Sequence, residues 1–254
     1  MLNERSRNAE PTAAATLRLT TYNVHACRGG DGLLRPERIF EVIRRVDPQV
    51  VALQELDGAD SAEYLAQRLQ MELFFVAARP RHRGEGSYGN AVLTRLPALL
   101  IRAASLPRLY ETTEARAAQW VRVATPFGPL DVLNTHLGLL RAETCLQAEA
   151  LLGPDWLSAP EISPYAVLCG DFNARPNSPV YKRLSSRLFD AQLAMPRPQP
   201  TFPAIFPLVR IDHVFLCNTL TAARVQVPSD VRARLASDHR PLCVDVAPNQ
   251  DLRS

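Results

Sequence analysis

The stretch RPERIFEVIRRVDPQVVALQE, residues 35–55, carries a helix signal followed directly by a strand signal. The apolar residues of its first half share one helical face: Ile39, Val42, Ile43 and Val46. This spacing, with Pro36 in the first turn, predicts an amphipathic α-helix that ends at Asp47 and the following proline. The run QVVALQE at 49–55 is apolar almost to its end and predicts a buried strand that closes on Glu55.

Outside this stretch, strand signals outnumber helix signals. Helices are predicted at 61–70 and 142–152, with a short one starting near Ser178. Strands are predicted at 17–25, 73–78, 88–94, 98–106, 118–125, 130–137, 165–171, 210–217, 221–227 and 241–246. The order is βαβα, then a meander of strands, then βαβ and further strands. We therefore predict an α/β (α+β) fold of two mixed sheets packed face to face, with helices outside.

The domain organisation follows from the same pass along the chain. Residues 1–15 are polar and alanine-rich, so they are predicted to form a flexible N-terminal tail. No glycine- or serine-rich linker follows, and residues 16–250 are predicted to form a single domain. The N-terminal segment lacks the uninterrupted apolar run of a signal peptide, and no stretch approaches the roughly 20 apolar residues of a membrane span. A cytoplasmic location is predicted.

Composition narrows the function less than the motifs do. The 254 residues are 46% hydrophobic and 22% charged, which is typical of a soluble globular protein. A net charge of +3 gives no sign of the strongly basic face of a dedicated nucleic-acid-binding protein, and it does not exclude a polyanionic partner. The five cysteines are scattered without a Cys-x-x-Cys pair, which predicts reduced core residues rather than disulfides or a zinc site.

Polar side chains recur at the ends of the apolar strands. Because side chains alternate with period two along a strand, Val51, Leu53 and Glu55 share one face, and one end of each strand turns polar groups toward a common rim. Taken singly, each such residue also fits a turn or a helix cap. The six strand ends carry the following residues: Asn23 and His25; Glu55; Asn134 and His136; Asp171 and Asn173; Asp212; Asp238 and His239.

The chemistry of this rim favours a hard cation. Buried carboxylates that converge need a cation or tight hydrogen bonding, because desolvating unpaired charges costs several kcal/mol. Oxygen ligands without cysteine suit Mg²⁺, with Mn²⁺ as a substitute, better than zinc. A metal site with a neighbouring histidine and a donating amide is what phosphate-ester hydrolysis requires. The residues by themselves therefore predict a metal-dependent phosphoesterase.

Seven motifs occur in an order that resembles the endonuclease/exonuclease/phosphatase superfamily. They are TYNVH, QE at 54–55, YGNAVLT, NTHLG, GDFNARPNS, RIDHVF and SDHRPL, and together they span Thr20 to about Val246. The superfamily includes pancreatic-type deoxyribonucleases, apurinic endonucleases, neutral sphingomyelinases and inositol polyphosphate 5-phosphatases. The resemblance implies a four-layered αββα sandwich with its site at one edge of the paired sheets.

The resemblance also implies roles for the metal site and its neighbouring histidine. Glu55 corresponds to the principal Mg²⁺ ligand, and Asn23 lies next to it in the metal shell. Asp238 is expected to contact metal or water, or else to cap the chain locally. His239 corresponds to the general base, or to the histidine that contacts the scissile phosphate, and Asp212 to the carboxylate that orients it.

Further roles follow for residues around the phosphate. Asp171 is expected to align or deprotonate the attacking water, or to protonate the leaving group, and Asn173 to donate to the transition-state oxyanion. His136 in NTHLG fits the deoxyribonuclease and sphingomyelinase branches better than an apurinic endonuclease. Asn90 in YGNAVLT is expected to bind substrate. Arg116 is expected either to brace acids at the rim or to contact substrate.

The substrate is left open by the sequence. A nucleic acid or a small phosphodiester is the first hypothesis, a phospholipid headgroup the second, and a catalytically silent binding module with the same fold the third. The loop at 78–87 carries several arginines, but it has no interleaved aromatic residues for base stacking. The segment TFPAIFPLVR at 201–210 is apolar and either walls a lipid site or belongs to the core.

Overall fold

The structure is a computed structural model that describes residues 16–80 and 86–250. The predicted tail at 1–15 and residues 81–85 of the arginine-rich loop, which include Arg81, His82 and Arg83, lie outside the described residues. Five α-helices occur in the described part of the chain: α1 (Pro36–Val46), α2 (Ala59–Leu69), α3 (Arg141–Leu152), α4 (Pro179–Ser185) and α5 (Val231–Ala236). Short 3-10 turns lie at His25–Cys27 and Ala191–Ala194.

Twelve strands of the described residues form two six-stranded sheets. The first sheet has the order β11-β12-β1-β2-β4-β3, and the second has the order β5-β6-β7-β8-β10-β9. The bounds in the first sheet are β1 (Leu17–Asn23), β2 (Val50–Asp57), β3 (Glu72–Pro80), β4 (Ser87–Thr94), β11 (Leu220–Gln226) and β12 (Leu242–Pro248). Those in the second are β5 (Ala98–Ser105), β6 (Ala117–Thr125), β7 (Gly128–His136), β8 (Tyr165–Asp171), β9 (Phe189–Asp190) and β10 (Asp212–Leu216).

Three apolar clusters separate four layers. The central cluster joins the inner faces of the two sheets, with Val50 and Val92 from the first sheet and Val132 and Val167 from the second. A second cluster packs α1, α2 and α5 against the outer face of the first sheet. A third packs α3 and α4 against the outer face of the second. The predicted four-layered αββα sandwich of two mixed sheets is confirmed.

Strand pairing brings the polar strand ends to one edge of the sandwich. In the second sheet, β7 and β8 run parallel with His136 opposite Asp171, and antiparallel β10 sets Asp212 opposite the same Asp171. In the first sheet, β1 and β2 run parallel, so that Asn23 lies opposite Gln54. Parallel strands end at the same edge, and an antiparallel neighbour begins there. The register therefore assembles the predicted rim.

The predicted elements shift by at most two residues at their ends, and two short elements escaped prediction. The first strand stops at Asn23 rather than residue 25, because His25 has a φ of 47° and the chain turns there. The helix α5 and the two-residue β9 are too short to give a periodic signal. The five cysteines are free, and Cys27, Cys169 and Cys243 are buried, whereas Cys145 and Cys217 are only partly buried. Within residues 16–80 and 86–250, none of the helices has the length and apolar content needed to cross a membrane.

Candidate active site

Gly170 allows the strand β8 to deliver Asp171 to the rim. Its φ is +143°, and a Cβ there would lie 1.9 Å from the carbonyl oxygen of Thr135 on β7. Only glycine tolerates that approach. Beyond Asp171 the chain turns through Asn173, whose φ of 48° is unusual for a residue with a side chain. The apolar strand therefore ends in an acid and an amide that are both fixed by the backbone.

Asp171 is the centre of the site. Its Oδ1 accepts a hydrogen bond from the backbone nitrogen of Asn173 and its Oδ2 one from Nδ2 of Asn23, both at 2.9 Å. Nε2 of His136 lies 3.5 Å from Oδ2, and Nε2 of His239 lies 3.6 Å from it. Burial, reinforced by the nearby charge of Asp212, raises the pKa of Asp171 to about 6. A buried carboxylate flanked by two imidazoles can exchange a proton near neutral pH.

His239 is oriented by Asp212. Its Nδ1 lies 2.9 Å from Oδ2 of Asp212, and the hydroxyl of Thr201 donates to the same oxygen at 2.5 Å. The ring of Phe202 packs against the imidazole with centroids 4.8 Å apart. Burial alone would lower the pKa of His239, but the charge and hydrogen bond of Asp212 outweigh it and raise that pKa to about 10.

The pKa of His136 is shifted in the opposite direction to that of His239. Nη1 of Arg116 lies 3.0 Å from its Nδ1, and burial followed by the charge of Arg116 holds the pKa of His136 well below its usual range. Nη2 of Arg116 lies 2.9 Å from Oε2 of Glu114, whose Oε1 accepts from Arg79 at 2.5 Å. Arg116 thus braces His136, and its contact with substrate stays a prediction.

Glu55 lies across the site from these groups. The pairing of β2 with β4 is irregular between Leu53 and Leu56, and Glu55 in this bulge has a φ of 59°. Its Oε1 accepts from Nδ2 of Asn23 at 2.9 Å and lies 3.9 Å from Nε2 of His136. The hydroxyl of Tyr88 is hydrogen-bonded to Glu55, and burial together with the charge of Glu55 raises the pKa of Tyr88.

Two groups of side chains have the composition of a metal site. Ligand atoms of Glu55, His136 and Asp171 lie within 4.8 Å of one another, as do those of Asp171, Asp212 and His239. The amide nitrogen of Asn23 donates to both Glu55 and Asp171, so a positively polarised group already lies between the two carboxylates. Convergent carboxylate oxygens with this demand for positive charge fit a hard divalent cation.

Three predicted residues take positions beside these groups rather than within them. The oxygen of the Asn23 amide accepts from the backbone of His25, which favours a role in orienting the carboxylates over direct ligation. Asp238 lies 3.7 Å from Nδ1 of His25 and belongs to neither of the two groups found among the described residues. Asn90 is buried and donates to the carbonyl of Ala117 across the two sheets. Their metal-binding and substrate-binding roles stay predictions.

Four residues of the candidate site were not predicted from the sequence. Thr201 and Glu114 lie on loops, and only the fold brings them to Asp212 and Arg116. Ser237 links the strand end to the last motif, because its hydroxyl donates to the carbonyl of Asn23 and accepts from the backbone of His239. Ser237 is the first residue of the motif SDH, so the motif could have predicted it as a site residue. Tyr88 lies in the motif YGNAVLT, from which the sequence analysis assigned a role to Asn90 only.

Comparisons with known proteins match most of the chain, including the residues of the candidate site. The model of the Endonuclease/Exonuclease/phosphatase family matches residues 20–239. Uncharacterized protein YbhP of Escherichia coli K12 is 27% identical over 261 residues, covering 93% of this chain and 98% of YbhP. A family protein from Beutenbergia cavernae superposes with a TM-score of 0.72 at 24% identity, covering 92% of this chain and 72% of that one. A mannosyl-6-phosphatase of Bacteroides thetaiotaomicron gives 0.76 at 18%, covering 91% and 99%. The likeness to these two structures establishes the fold alone.

Proposed function

The chain belongs to the Endonuclease/Exonuclease/phosphatase family, whose members hydrolyse phosphate esters, and on that premise we propose that it is an Mg²⁺-dependent phosphodiesterase. The observation that carries the proposal is the buried Asp171, which has an imidazole nitrogen on either side at 3.5 and 3.6 Å and the carboxylate of Glu55 within the same group. A silent binding module gains nothing from burying these charges.

Glu55 would hold the metal, with Mn²⁺ as a substitute for Mg²⁺. When bound, a divalent cation neutralises the phosphoryl oxygens and lowers the pKa of bound water. The chain's own groups supply the rest. Asp171, with a pKa of about 6, aligns the water and accepts its proton, while Asn173 donates to the oxyanion.

The two histidines would both contact the phosphate, and neither would accept the proton of the attacking water. His239, with its pKa raised to about 10 by Asp212, presents a charged donor to a phosphoryl oxygen. His136 is held neutral by Arg116, with its Nε2 turned to the site, where it can polarise an oxygen without carrying charge.

Hydrolysis of a water-soluble diester tests the proposal. Purified protein is expected to cleave bis(p-nitrophenyl) phosphate with Mg²⁺ or Mn²⁺ and to stop in chelator. His239→Gln is expected to lose this activity while it retains Mg²⁺ binding by calorimetry. His25→Gln is the matched control, because His25 belongs to neither metal-type group. If neither the soluble diester, a phosphate monoester nor a phospholipid is cleaved at any metal concentration, the phosphodiesterase is disproved and the silent binding module is favoured.

A further inference from the structure

The loop before β10 presents apolar side chains to solvent beside the candidate active site. Phe202 and Val209 pair across its base, so that residues 202–209 form a tight hairpin. Its tip exposes Ile205, Phe206 and Leu208, which are 59%, 72% and 67% accessible. Single exposed apolar residues are common on protein surfaces, whereas three large ones on one short hairpin form an apolar patch.

The base of this hairpin is fixed to the catalytic rim. The backbone nitrogen of Ala204 donates to the carbonyl of Asp238 at 2.6 Å, and Nε of Arg240 donates to the carbonyl of Ala204 at 2.7 Å. Phe202 at the base packs on the imidazole of His239. The exposed tip is therefore held in a defined place next to His239.

Three other loops end in apolar residues at the same edge. They follow β1, precede β6 and follow β7, and strand pairing places all three positions at the edge that carries Asp171. Their exposed members are Leu33 and Leu34, Leu109 and Tyr110, and Leu139 and Leu140. The loop of Leu33 adjoins the hairpin, since a Cβ at Gly30 would lie 3.1 Å from Cδ1 of Ile205. Leu139 lines a groove with Asn173.

We call these nine side chains the apolar rim: Leu33, Leu34, Leu109, Tyr110, Leu139, Leu140, Ile205, Phe206 and Leu208. Sixteen large apolar side chains are exposed among the described residues, and nine of them belong to this rim. Single exposed apolar residues are normal, but a cluster at one edge marks an interaction surface. The rim therefore lies at the same edge of the sandwich as Asp171.

Exposed arginines lie on and beside the loops of the apolar rim. Four arginines are exposed there and have no carboxylate partner among the described residues: Arg28, Arg35, Arg141 and Arg175. The acids on these loops are already paired, Asp31 with Arg38, Glu111 with Arg108, and Glu114 with Arg79 and Arg116. An apolar surface bordered by unpaired arginines complements an anionic lipid headgroup layer over hydrocarbon.

We propose that the apolar rim inserts into the surface of an anionic phospholipid membrane, so that the phosphate ester reaching Asp171 is a phospholipid headgroup. The rim favours this occupant over a nucleic acid because seven of its nine side chains are aliphatic, whereas single-stranded nucleic acid binds by stacking on aromatic rings. The membrane contact stands on the exposed residues, and only its consequence for the substrate rests on the proposed phosphodiesterase activity.

Flotation with vesicles tests the membrane contact directly. The wild-type chain is expected to float with phosphatidylglycerol/phosphatidylcholine vesicles and less with pure phosphatidylcholine. The triple variant Ile205→Ser, Phe206→Ser, Leu208→Ser is expected to lower the partition coefficient at least about tenfold, because it removes the inserting hydrocarbon. Arg141→Gln with Arg175→Gln is expected to remove the preference for the anionic lipid.

Matched controls keep the test specific. Leu99→Ser with Leu146→Ser removes exposed apolar residues away from the rim, and Arg68→Gln with Arg224→Gln removes charge elsewhere; both are expected to bind vesicles as the wild type does. The triple variant is expected to cleave a soluble diester normally and to lose hydrolysis of vesicle phospholipid.

The outcomes separate the two proposals. A wild-type chain that cleaves the soluble diester but does not float, or that binds single-stranded DNA through the rim instead, overturns the membrane contact and leaves the phosphodiesterase standing. Flotation that the triple variant does not reduce overturns it as well. Flotation that the rim variants abolish, without hydrolysis of any ester, supports the contact and rejects the enzyme.

Discussion

Nη1 of Arg116 lies 3.0 Å from Nδ1 of His136, and both side chains are almost fully buried. A guanidinium only donates hydrogen bonds, so Nδ1 of His136 faces a donor, while its Nε2 lies 3.1 Å from the amide nitrogen of Asn173 and 3.5 Å from Oδ2 of Asp171. His239 has the reverse arrangement, because its Nδ1 donates to Asp212. The two histidines around Asp171 therefore differ in charge near neutral pH, the one neutral and the other protonated.

Glu114→Gln tests whether Glu114 positions Arg116. The carboxylate binds Arg116 on one oxygen and Arg79 on the other, so its loss should free both guanidinium groups. We expect kcat for a soluble diester to fall about tenfold, with a smaller change in KM. Glu111→Gln is the control, because the Glu111 side chain is 93% exposed and pairs with Arg108, away from Arg116. Equal kcat values in the two variants would show that Glu114 has no positioning role.

Thr201→Val removes the hydroxyl that donates to Asp212 and keeps the shape of the side chain. A buried carboxylate that loses a donor costs about 1–3 kcal/mol, measurable by urea unfolding, and the orientation of His239 should loosen with it. Thr135→Val is a close control, since Thr135 is equally buried and its hydroxyl has no hydrogen-bond partner among the described residues. The control should be neutral or stabilising, and equal destabilisation by both changes would contradict the assignment.

Glu55→Gln tests which carboxylate holds the metal. The amide keeps the size of the side chain but removes the negative charge that a hard cation needs. Mg²⁺ affinity measured by calorimetry should fall about tenfold or more, and chelator should abolish wild-type hydrolysis until Mg²⁺ or Mn²⁺ is restored. Glu63→Gln on the exposed face of α2 serves as the control. Unchanged Mg²⁺ affinity in Glu55→Gln would remove Glu55 from the metal site.

The fold was predictable because its strands and long helices carry strong local patterns. The face of Ile39, Val42 and Ile43 packs on the first sheet as the helical spacing predicts. The helix α5 was missed because only Ala233 and Ala236 of its six residues are buried, which is too few for a periodic signal. The order of the elements predicted two sheets, but the strand order within each sheet could not be predicted, since periodicity does not specify pairing partners.

The site was predictable where a polar residue ends a strand, as Glu55 and Asp171 do. It was not predictable where the contact depends on a loop. Thr201 lies eleven positions before Asp212, and Glu114 reaches Arg79 across 35 positions. Asn134 illustrates the opposite error, because its strand-end position suggested the rim while its amide donates to Leu53 and Ala91 and ties the two sheets together.

Gly170→Ala should destabilise the whole fold. The new Cβ would meet the carbonyl of Thr135 at 1.9 Å, and the strand β8 cannot move away without breaking its pairing with β7. We expect a loss of about 3 kcal/mol or more in the free energy of unfolding, seen by urea titration. Gly128→Ala also has a positive φ, but its nearest atom lies 3.5 Å away, so about 1–2 kcal/mol is expected. Similar costs for the two variants would mean that close packing at Gly170 is not the constraint.

Asp190→Asn should reveal a buried ion cluster that is separate from the catalytic groups. Asp190 pairs with Arg210, accepts from the hydroxyl of Tyr181 and lies 3.4 Å from Nδ1 of His213. Burial alone would raise the pKa of Asp190, but the hydrogen bond and charge of His213, with the charge of Arg210, lower it below its usual 3.8. Neutralising one partner leaves the buried Arg210 uncompensated, and we expect a loss of about 3 kcal/mol at pH 7.

The pH dependence separates this ion cluster from a simple packing effect. Because the folded pKa of Asp190 is depressed, its contribution to stability is full above about pH 4 and is lost as the pH falls through that folded pKa. The difference in unfolding free energy between wild type and Asp190→Asn should therefore be constant from about pH 5 to 8 and shrink below about pH 4. Asp245→Asn, which breaks the more exposed pair with Arg18, should cost under about 1 kcal/mol. A wild-type advantage that persists undiminished below pH 3 would mean that Asp190 contributes through shape and not through its charge.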